Sequence, residues 1–507
     1  MKTQKLYKLV FFNTLLLFMS VQTLSAQNSG IRIGSFNAFS DIGKPAIKGA
    51  ATYSEPDQTY TLSASGSNIW FGKDSFSTLW KKMNGDFILQ TKISFVGEGH
   101  EAHRKTGIMF RASSAEDSPM VACTVHGDGL TSLQYRSAAG ADVEEIKMEI
   151  SGPDIIQLEK KGNTYIMSVA QFGREYQVAE ITDLDLGNEL MAGLYVCAHT
   201  NQYTEEVRFS NTRIYNTAPD DLEQYKTYLP SRLEVMDVNT GHRQVLASDL
   251  GSWQAPNWTP DGKTLIYNSN GLLYNFDIES KTSTVLNTDF ATKNNNDHIL
   301  SFDGKQIGIS HHAKEEGGAS LIYTLPITGG TPQKVTVEGP SYLHGWSPDN
   351  QDLIYTAQRD GNYNIYKISA AGGKEKRLTK TEGLDDGSEF APDGQYIYFC
   401  STRTGTMQIW RMDANGENQT QLTFDQLNDW FPHVSPDNKW IVFLSFPKEV
   451  PADQHPFYER VYIRLMPVEG GEIKTIGYLY GGQGSLNVPS WSPDGKSIAF
   501  ISNGIFE

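Results

Sequence analysis

One short motif recurs six times in the second half of the chain and leaves few architectures open. A small residue or Pro/Phe precedes Asp and then Gly or Asn: NWTPDGK at Asp261, LSFDGK at Asp303, GWSPDNQ at Asp349, EFAPDGQ at Asp393, HVSPDNK at Asp437 and SWSPDGK at Asp494. The copies are 42, 46, 44, 44 and 57 residues apart. Asp-Gly and Asp-Asn tolerate positive φ and therefore join two antiparallel strands in a tight turn. A short apolar run follows each turn, as in TLIYNSN, LIYTAQR and WIVFLSF, and two further strand-like runs complete the unit. A period near 40–45 residues with four strands per unit is the pattern of β-propeller blades.

The ends of the array predict how the ring closes. After Asp494 only two strands remain, while RLEVMDVNTGHRQVLASD at 232–249 supplies two strands with no inner pair before them. Two strands from each end make one blade, which seals the ring without free sheet edges. Six blades follow. The unit resembles that of the TolB-type propeller, which reads roughly SPDGK, apolar strand, SxRxG, IYxxD, xGxxxxLT. WSPDNQDLIYTAQRDGNYNIYKISAAGGKEKRLT and APDGQYIYFCSTRTGTMQIWRMDANGENQTQLT match nearly throughout. The resemblance covers 232–507 and implies a fold; it leaves function open, because this scaffold serves binding proteins, peptidase gating domains and some polysaccharide lyases.

Residues 27–216 read differently. Runs such as DFILQTKISF, TGIMFRAS, NTYIMSVAQ and LMAGLYVCA alternate apolar and polar residues between Gly, Asn, Asp and Ser. None keeps a helical period, so this half is predicted as a jelly-roll β-sandwich. GDFILQTKISF, RKTGIMFRAS and the closing VRFSNTRIY resemble concanavalin A-like or laminin-G-like domains. The polar, proline-containing stretch 217–231 is read as the linker. The expected whole is all-β: sandwich, linker, then a six-bladed propeller over 232–507.

The first 26 residues read as a secretory signal peptide. Lys2, Lys5 and Lys8 precede the apolar stretch Leu9 to Met19, and Leu24-Ser25-Ala26 offers small residues for cleavage. The apolar run is too short for a membrane span. A periplasmic or secreted protein with no transmembrane segment in its mature chain is expected. Lys and Arg number 43 against 59 Asp and Glu, a net charge of −16, which argues against nucleic acid as a partner. Cys123, Cys197 and Cys400 are too few and scattered for a disulfide framework or a zinc site; packed thiols or a single Cys123–Cys197 bridge remain open. The loop GEGHEAHRKTG brings His100 and His103 three apart, but no helix aligns them, so a solvated loop is expected.

Register along a blade also predicts which side chains meet. The first strand lines the central channel and descends to the Asp turn, so residues four or more before that Asp approach the mouth, and residues about eight after it return there. This gathers Asn257, His298, His344, Asp385, Asp386, Glu389, Asp429, His433 and Asn487, with His311, His312, Arg359 and Arg403 from the returning strands. Position minus three is Trp258, Leu300, Trp346, Phe390, Val434 or Trp491, which reads as blade packing. Arg403 occupies a repeat position where Arg commonly braces the turn, and it is kept as a ligand candidate on register alone. The candidate ligand-binding set is thus His298, His311, His312, His344, Asp385, Asp386, Glu389, Arg403, Asp429 and His433.

Imidazoles can hold a divalent metal or serve as general base, and Arg can clamp a carboxylate. Oligogalacturonate lyases, similar in fold, use a histidine-held metal in such a funnel, but their motif does not align residue by residue. No G-x-S-x-G, Rossmann fingerprint, P-loop or H-E-x-x-H occurs. Two readings follow. One is an exported binding protein that docks a glycan or a periplasmic protein at the propeller mouth. The alternative is a carbohydrate-active enzyme, lyase or hydrolase, working at a His-rich funnel with a divalent metal as its candidate cofactor.

Overall fold

The computed structural model describes Leu24–Ser25, residues 32–314 and residues 317–506. The expected signal peptide lies outside these apart from the two-residue strand Leu24–Ser25, which pairs with Ala50 and Ala51.

The repeat builds a ring of six sheets. Five are four-stranded, and their innermost strands are Gln254–Trp258, Asn294–Leu300, Ser341–Trp346, Asp385–Phe390 and Asn428–Val434. The sixth joins the ends of the array: Ser231–Asp237 lies between Arg243–Asp249 and the C-terminal strand Ser497–Asn503. Its innermost segment is irregular, holding to the next strand through the isolated bridge Trp491–Ile498 and scattered bonds such as Ala499 N–H to Ser490 O and Ile501 N–H to Ser485 O. The regular part of that blade is therefore three strands rather than four.

The recurrent Asp earns its place by hydrogen bonding. In five copies a hydroxyl two residues earlier donates to its Oδ1, as Thr259 does to Asp261 (2.6 Å), Ser301 to Asp303 (2.8 Å) and Ser492 to Asp494 (2.7 Å). The N–H two residues later donates to the same oxygen, at 2.9 Å from Gln395 and 3.1 Å from Lys496. The residue after Asp sits at φ 57–72, which is why only Gly or Asn occurs there. Between blades the minus-three residues act as expected: Trp346 Nε1 donates to Ile299 O and Trp491 Nε1 to His433 O, both at 2.9 Å.

The N-terminal half is two antiparallel sheets enclosing one core. One sheet has eight strands, with Thr200–Asn216 and Phe87–Val96 at its centre; the other has seven, centred on Lys105–Arg111 and Glu189–Cys197. Leu62, Leu89 and Leu158 from the first meet Leu79, Ile108 and Leu194 from the second. Strands Lys105–Arg111 and Met120–His126 are buried on both faces, because the loops around Ile69, Trp70 and Val143 cover the outer side. Under that cover Asp74 receives two guanidinium groups, Arg111 and Arg136, each at 2.6 Å. All three cysteines are free and buried.

Sandwich and propeller share a polar seam. Glu234, fully buried on the ring-closing strand, binds Arg213 of the sandwich and Arg243 of the adjacent strand, both at 2.7 Å, and accepts from Ser502 on the C-terminal strand. Around it, Asn211 bonds Gly241 and Arg243, Arg460 pairs with Glu159, and Gly173 bridges to Thr475. Burial opposes the Glu234 charge, but the two guanidinium groups outweigh it and hold its pKa well below the usual carboxylate range.

Breaking one partner of a buried ion cluster leaves uncompensated charge, so Glu234→Gln should lower stability by about 3–5 kcal/mol in chemical denaturation. Because the folded pKa is depressed, the carboxylate's contribution is complete above its ordinary value and lost as pH falls below it. Wild type and Glu234→Gln should therefore converge in acid, and parallel melts that keep their gap down to low pH would contradict the assignment.

Candidate functional site

Each four-stranded blade breaks the pairing of its first strand at one point. The irregularities fall between Gln254 and Asn257, Asn294 and His298, Leu343 and Gly345, Asp386 and Glu389, and Trp430 and His433. Ala255, Gly387 and Phe431 take left-handed φ of 56°, 59° and 55° at these points. A bulge redirects the neighbouring side chains. Here it turns Gln254, Asp297, His344, Asp386 and Phe431 into the central channel, where Asn487 of the irregular inner segment joins them.

The space so enclosed measures about 970 Å³. Its wall is unusually rich in amides: Gln254, Asn268, Asn270, Asn294, Asn295, Asn296, Gln483 and Asn487. Rings of Tyr342, Tyr363, Phe431 and Phe457 stand among them, and Tyr225 and Tyr228 of the interdomain segment complete the rim. Tyr225 hydroxyl donates to Gln483 Oε1 at 2.9 Å, so the connecting segment, although mostly exposed, also forms part of the funnel wall.

Three charged groups dominate the floor. His344 Nε2 lies 2.9 Å from Asp386 Oδ1. Burial disfavours the imidazolium, but Asp386, with Asp297 and Glu389 behind it, prevails and raises the His344 pKa. Burial likewise opposes the Asp386 charge, and His344 overcomes it, leaving Asp386 at about 2. Asp297 is on the losing side of the same balance. Burial pushes it up to about 6, against His344, although Asn295 Nδ2 donates to it at 2.7 Å and Asn487 Nδ2 at 3.4 Å. The floor thus holds one histidine–carboxylate pair, in which the carboxylate favours the protonated ring, and one carboxyl poised to exchange its proton near neutrality.

Of the residues singled out by register, His312, His344, Asp386 and Asn487 line the cavity. The others stand nearby in different employment. His298 is fully buried with Nε2 against Ile266 O (3.2 Å), and burial holds its pKa near 4. His311 packs among Phe290 and Tyr323, its Nδ1 accepting from Lys293 N–H. Glu389 and His433 bond each other at 2.6 Å, with His433 Nε2 on Leu486 O, and Asn257 donates to Pro489 O; these links fasten neighbouring blades. Asp385 takes Arg403 at 2.9 Å, and Arg403 also stacks on Trp410. Asp429 receives Arg464 (3.0 Å) and Ser445 inside its own blade. Arg359 is spent on Glu375 (2.9 Å) and Pro340 O. The arginine clamp expected at the mouth is therefore not in the cavity.

Several lining residues escaped the register argument. Asp297 lies one residue before His298 and was displaced by the bulge at Asn294–His298. Asp453, His455 and Phe457 come from residues 447–458, a loop inserted between the second and third strands of the fifth blade. The lengthened final spacing of 57 residues was its signal. His455 packs edge-on to Trp430 at 4.5 Å, and its Nδ1 is buried without a partner. Among the described residues, no three metal-ligating atoms in the cavity stand close enough to share an ion.

Residues 344–452 match the family model described as the TolB beta propeller domain. An uncharacterized protein of Agrobacterium fabrum is 44% identical over 272 residues, covering 54% of this chain and 92% of that protein. The chain belongs to the TolB-like β-propeller family. The solved structure of a putative TolB from Agrobacterium tumefaciens is 42% identical, with a TM-score of 0.52 over 55% of this chain and 99% of that one. TolB from Acinetobacter baumannii is 16% identical, with a TM-score of 0.40 over 64% of this chain and 79% of its own. Among the described residues, no helix of this TolB-like chain is long and apolar enough to cross a membrane.

The raised Asp297 pKa has a cost that can be measured. Below about pH 4 the group is neutral whether folded or unfolded; as pH rises toward 6 only the unfolded chain ionises, so stability falls across that window. Asp297→Asn should therefore stabilise the protein at pH 7.5 by about 1–3 kcal/mol and leave it within about 0.5 kcal/mol of wild type at pH 3.5. Urea melts at the two pH values give both differences.

Proposed function

We propose that this TolB-like protein is an exported binding protein whose propeller funnel takes a neutral glycan segment. The observation that carries the reading is the lining: a ring of amide side chains interleaved with tyrosine and phenylalanine faces, in a cavity at the upper end of the usual ~300–1,000 Å³ for ligand sites. Amides offer both donors and acceptors to hydroxyl groups, and exposed ring faces suit the apolar face of a pyranose. Charge argues for neutrality. Asp297, Asp386 and Asp453 face the cavity against one lysine, Lys293, while Arg359 and Arg403 are committed elsewhere, so an acidic sugar would meet several carboxylates without a guanidinium clamp. The sandwich, read as a concanavalin A-like module, then serves as an accessory that holds the rim through Tyr225 and Tyr228.

A second reading rests on Asp297. A carboxyl held at about 6 beside the His344–Asp386 pair is suited to moving a proton to or from a bound sugar, which is the requirement of a hydrolase or lyase.

Isothermal titration against a panel of neutral oligosaccharides, oligogalacturonate and the outer-membrane-protein fraction separates these readings. The glycan reading expects binding of a neutral oligosaccharide, weakened at least tenfold by Asn295→Ala or Tyr363→Ala. Failure of every neutral sugar at millimolar concentration, with capture of a protein instead, would overturn it. Product formation from a bound sugar, abolished in Asp297→Asn with binding kept, would establish the second reading.

A further inference from the structure

A second group of chemistry-bearing residues lies on the sandwich, away from the funnel. His103, His126 and Asp128 present ligand atoms that all fall within 4.8 Å of one another, and His103 Nδ1 is 3.7 Å from Asp128 Oδ2. The fold brings them together from three neighbouring strands. Cys197, Lys105 and His126 form one cross-strand row in the seven-stranded sheet. His199 follows Cys197 by two residues, His103 precedes Lys105 by two, and Asp128 follows His126 by two, so four potential ligands leave the same sheet end. The rings of His103 and His126 are 5.7 Å apart, as are those of His103 and His199.

We propose that His103, His126 and Asp128, with His199 beside them, bind a zinc-class divalent cation at this sheet end. Two observations support the assignment besides proximity. The buried Nδ1 atoms of both His126 and His199 have no hydrogen-bond partner, a costly arrangement for ring nitrogens that a metal would resolve. The surroundings also fix the ligands. The loop carrying His103 is tied to the Asp128 turn by Gly127 N–H to Arg104 O (2.8 Å) and Asp128 N–H to Ala102 O (2.9 Å). Asp128 Oδ1 accepts from Leu130 N–H, which leaves Oδ2 for the ion. On the far side of the His126 ring, Nε2 lies 3.5 Å from the Gln134 amide. With that amide turned, its oxygen accepts from Nε2–H and leaves the Nδ1 lone pair free for a metal, the second partner that metal-bound histidines usually have.

Two or three imidazoles and one carboxylate are donors suited to zinc rather than calcium or magnesium. A tetrahedral ion with bonds of about 2.0–2.2 Å wants its ligand atoms roughly 3.3–3.6 Å apart. His103 and Asp128, the exposed members, are placed to close the remaining gap. The nearby Lys105 ammonium is occupied by Asn68 Oδ1 (2.9 Å) and Ile69 O (3.2 Å).

The test uses the full chain without an affinity tag, stripped with a chelator and titrated with zinc chloride and, in parallel, cobalt chloride. One zinc equivalent should bind, cobalt should develop visible d–d absorption, and zinc should raise the melting temperature. His103→Ala and Asp128→Asn alter surface residues and should each weaken zinc binding at least tenfold, whereas His242→Ala, a histidine outside this group, should not. Absence of a bound equivalent at 100 µM zinc, or a loss below tenfold in both His103→Ala and Asp128→Asn, would overturn the proposal.

Discussion

The carboxylate of Glu234 sits where three parts of the chain have to agree. Its own strand pairs with the C-terminal strand to close the ring, its neighbour Arg243 comes from the outer strand of the same blade, and Arg213 reaches it from the sandwich. A propeller is held together chiefly by face-to-face packing of adjacent blades, so an unclosed ring exposes two such faces at once. Placing a satisfied buried charge on the closing strand makes the polar requirement specific to that register: a slip by one residue would turn Glu234 away from both arginines and bury them alone. Closure and domain docking consequently share one buried charge cluster in this fold. The neighbouring Arg232 bears part of the cost, because burial, with Arg213 next, depresses its guanidinium to about 9.

Much of this architecture was legible because the determinants are local. The Ser/Thr-x-Asp turn is a hydrogen-bonded unit within six residues, and its recurrence counts the blades without any long-range information. The orphan strand pairs at the two ends likewise foretold that Ser231–Asp237 would meet Ser497–Asn503. The irregular segment before Trp491 was not foreseen, since its turn motif is as regular as the rest. In the sandwich, Arg111 and Arg136 are buried because loops form a third layer over them, and nothing in a strand's own pattern announces such a cover.

The site was legible only in part, and the reason is geometric. Counting back from each turn treats the inner strand as straight, yet every four-stranded blade carries a bulge just below the mouth. Residues six or seven before the Asp, such as Asp297, Asp386 and Phe431, are thereby aimed into the channel. Those four or five before it, His298, Glu389 and His433, are left between blades as ties. His344, five before its Asp, is itself the bulged residue and so lines the channel. Counting from the turn Asp picks out side chains of types that could serve chemistry; which neighbour turns inward depended on a backbone irregularity that no residue pattern marks.

The segment carrying Tyr225 and Tyr228 has a consequence for how the two halves communicate. It packs through Tyr228 and Leu222 on Phe457 and Tyr458, and at the same time ends at the strand that holds Glu234. A molecule held at this rim more tightly in the docked arrangement would stabilise that arrangement, and by thermodynamic reciprocity anything that tightens the seam would strengthen the grip on that molecule by the same factor. The tether between domains would thus also be the coupling between them.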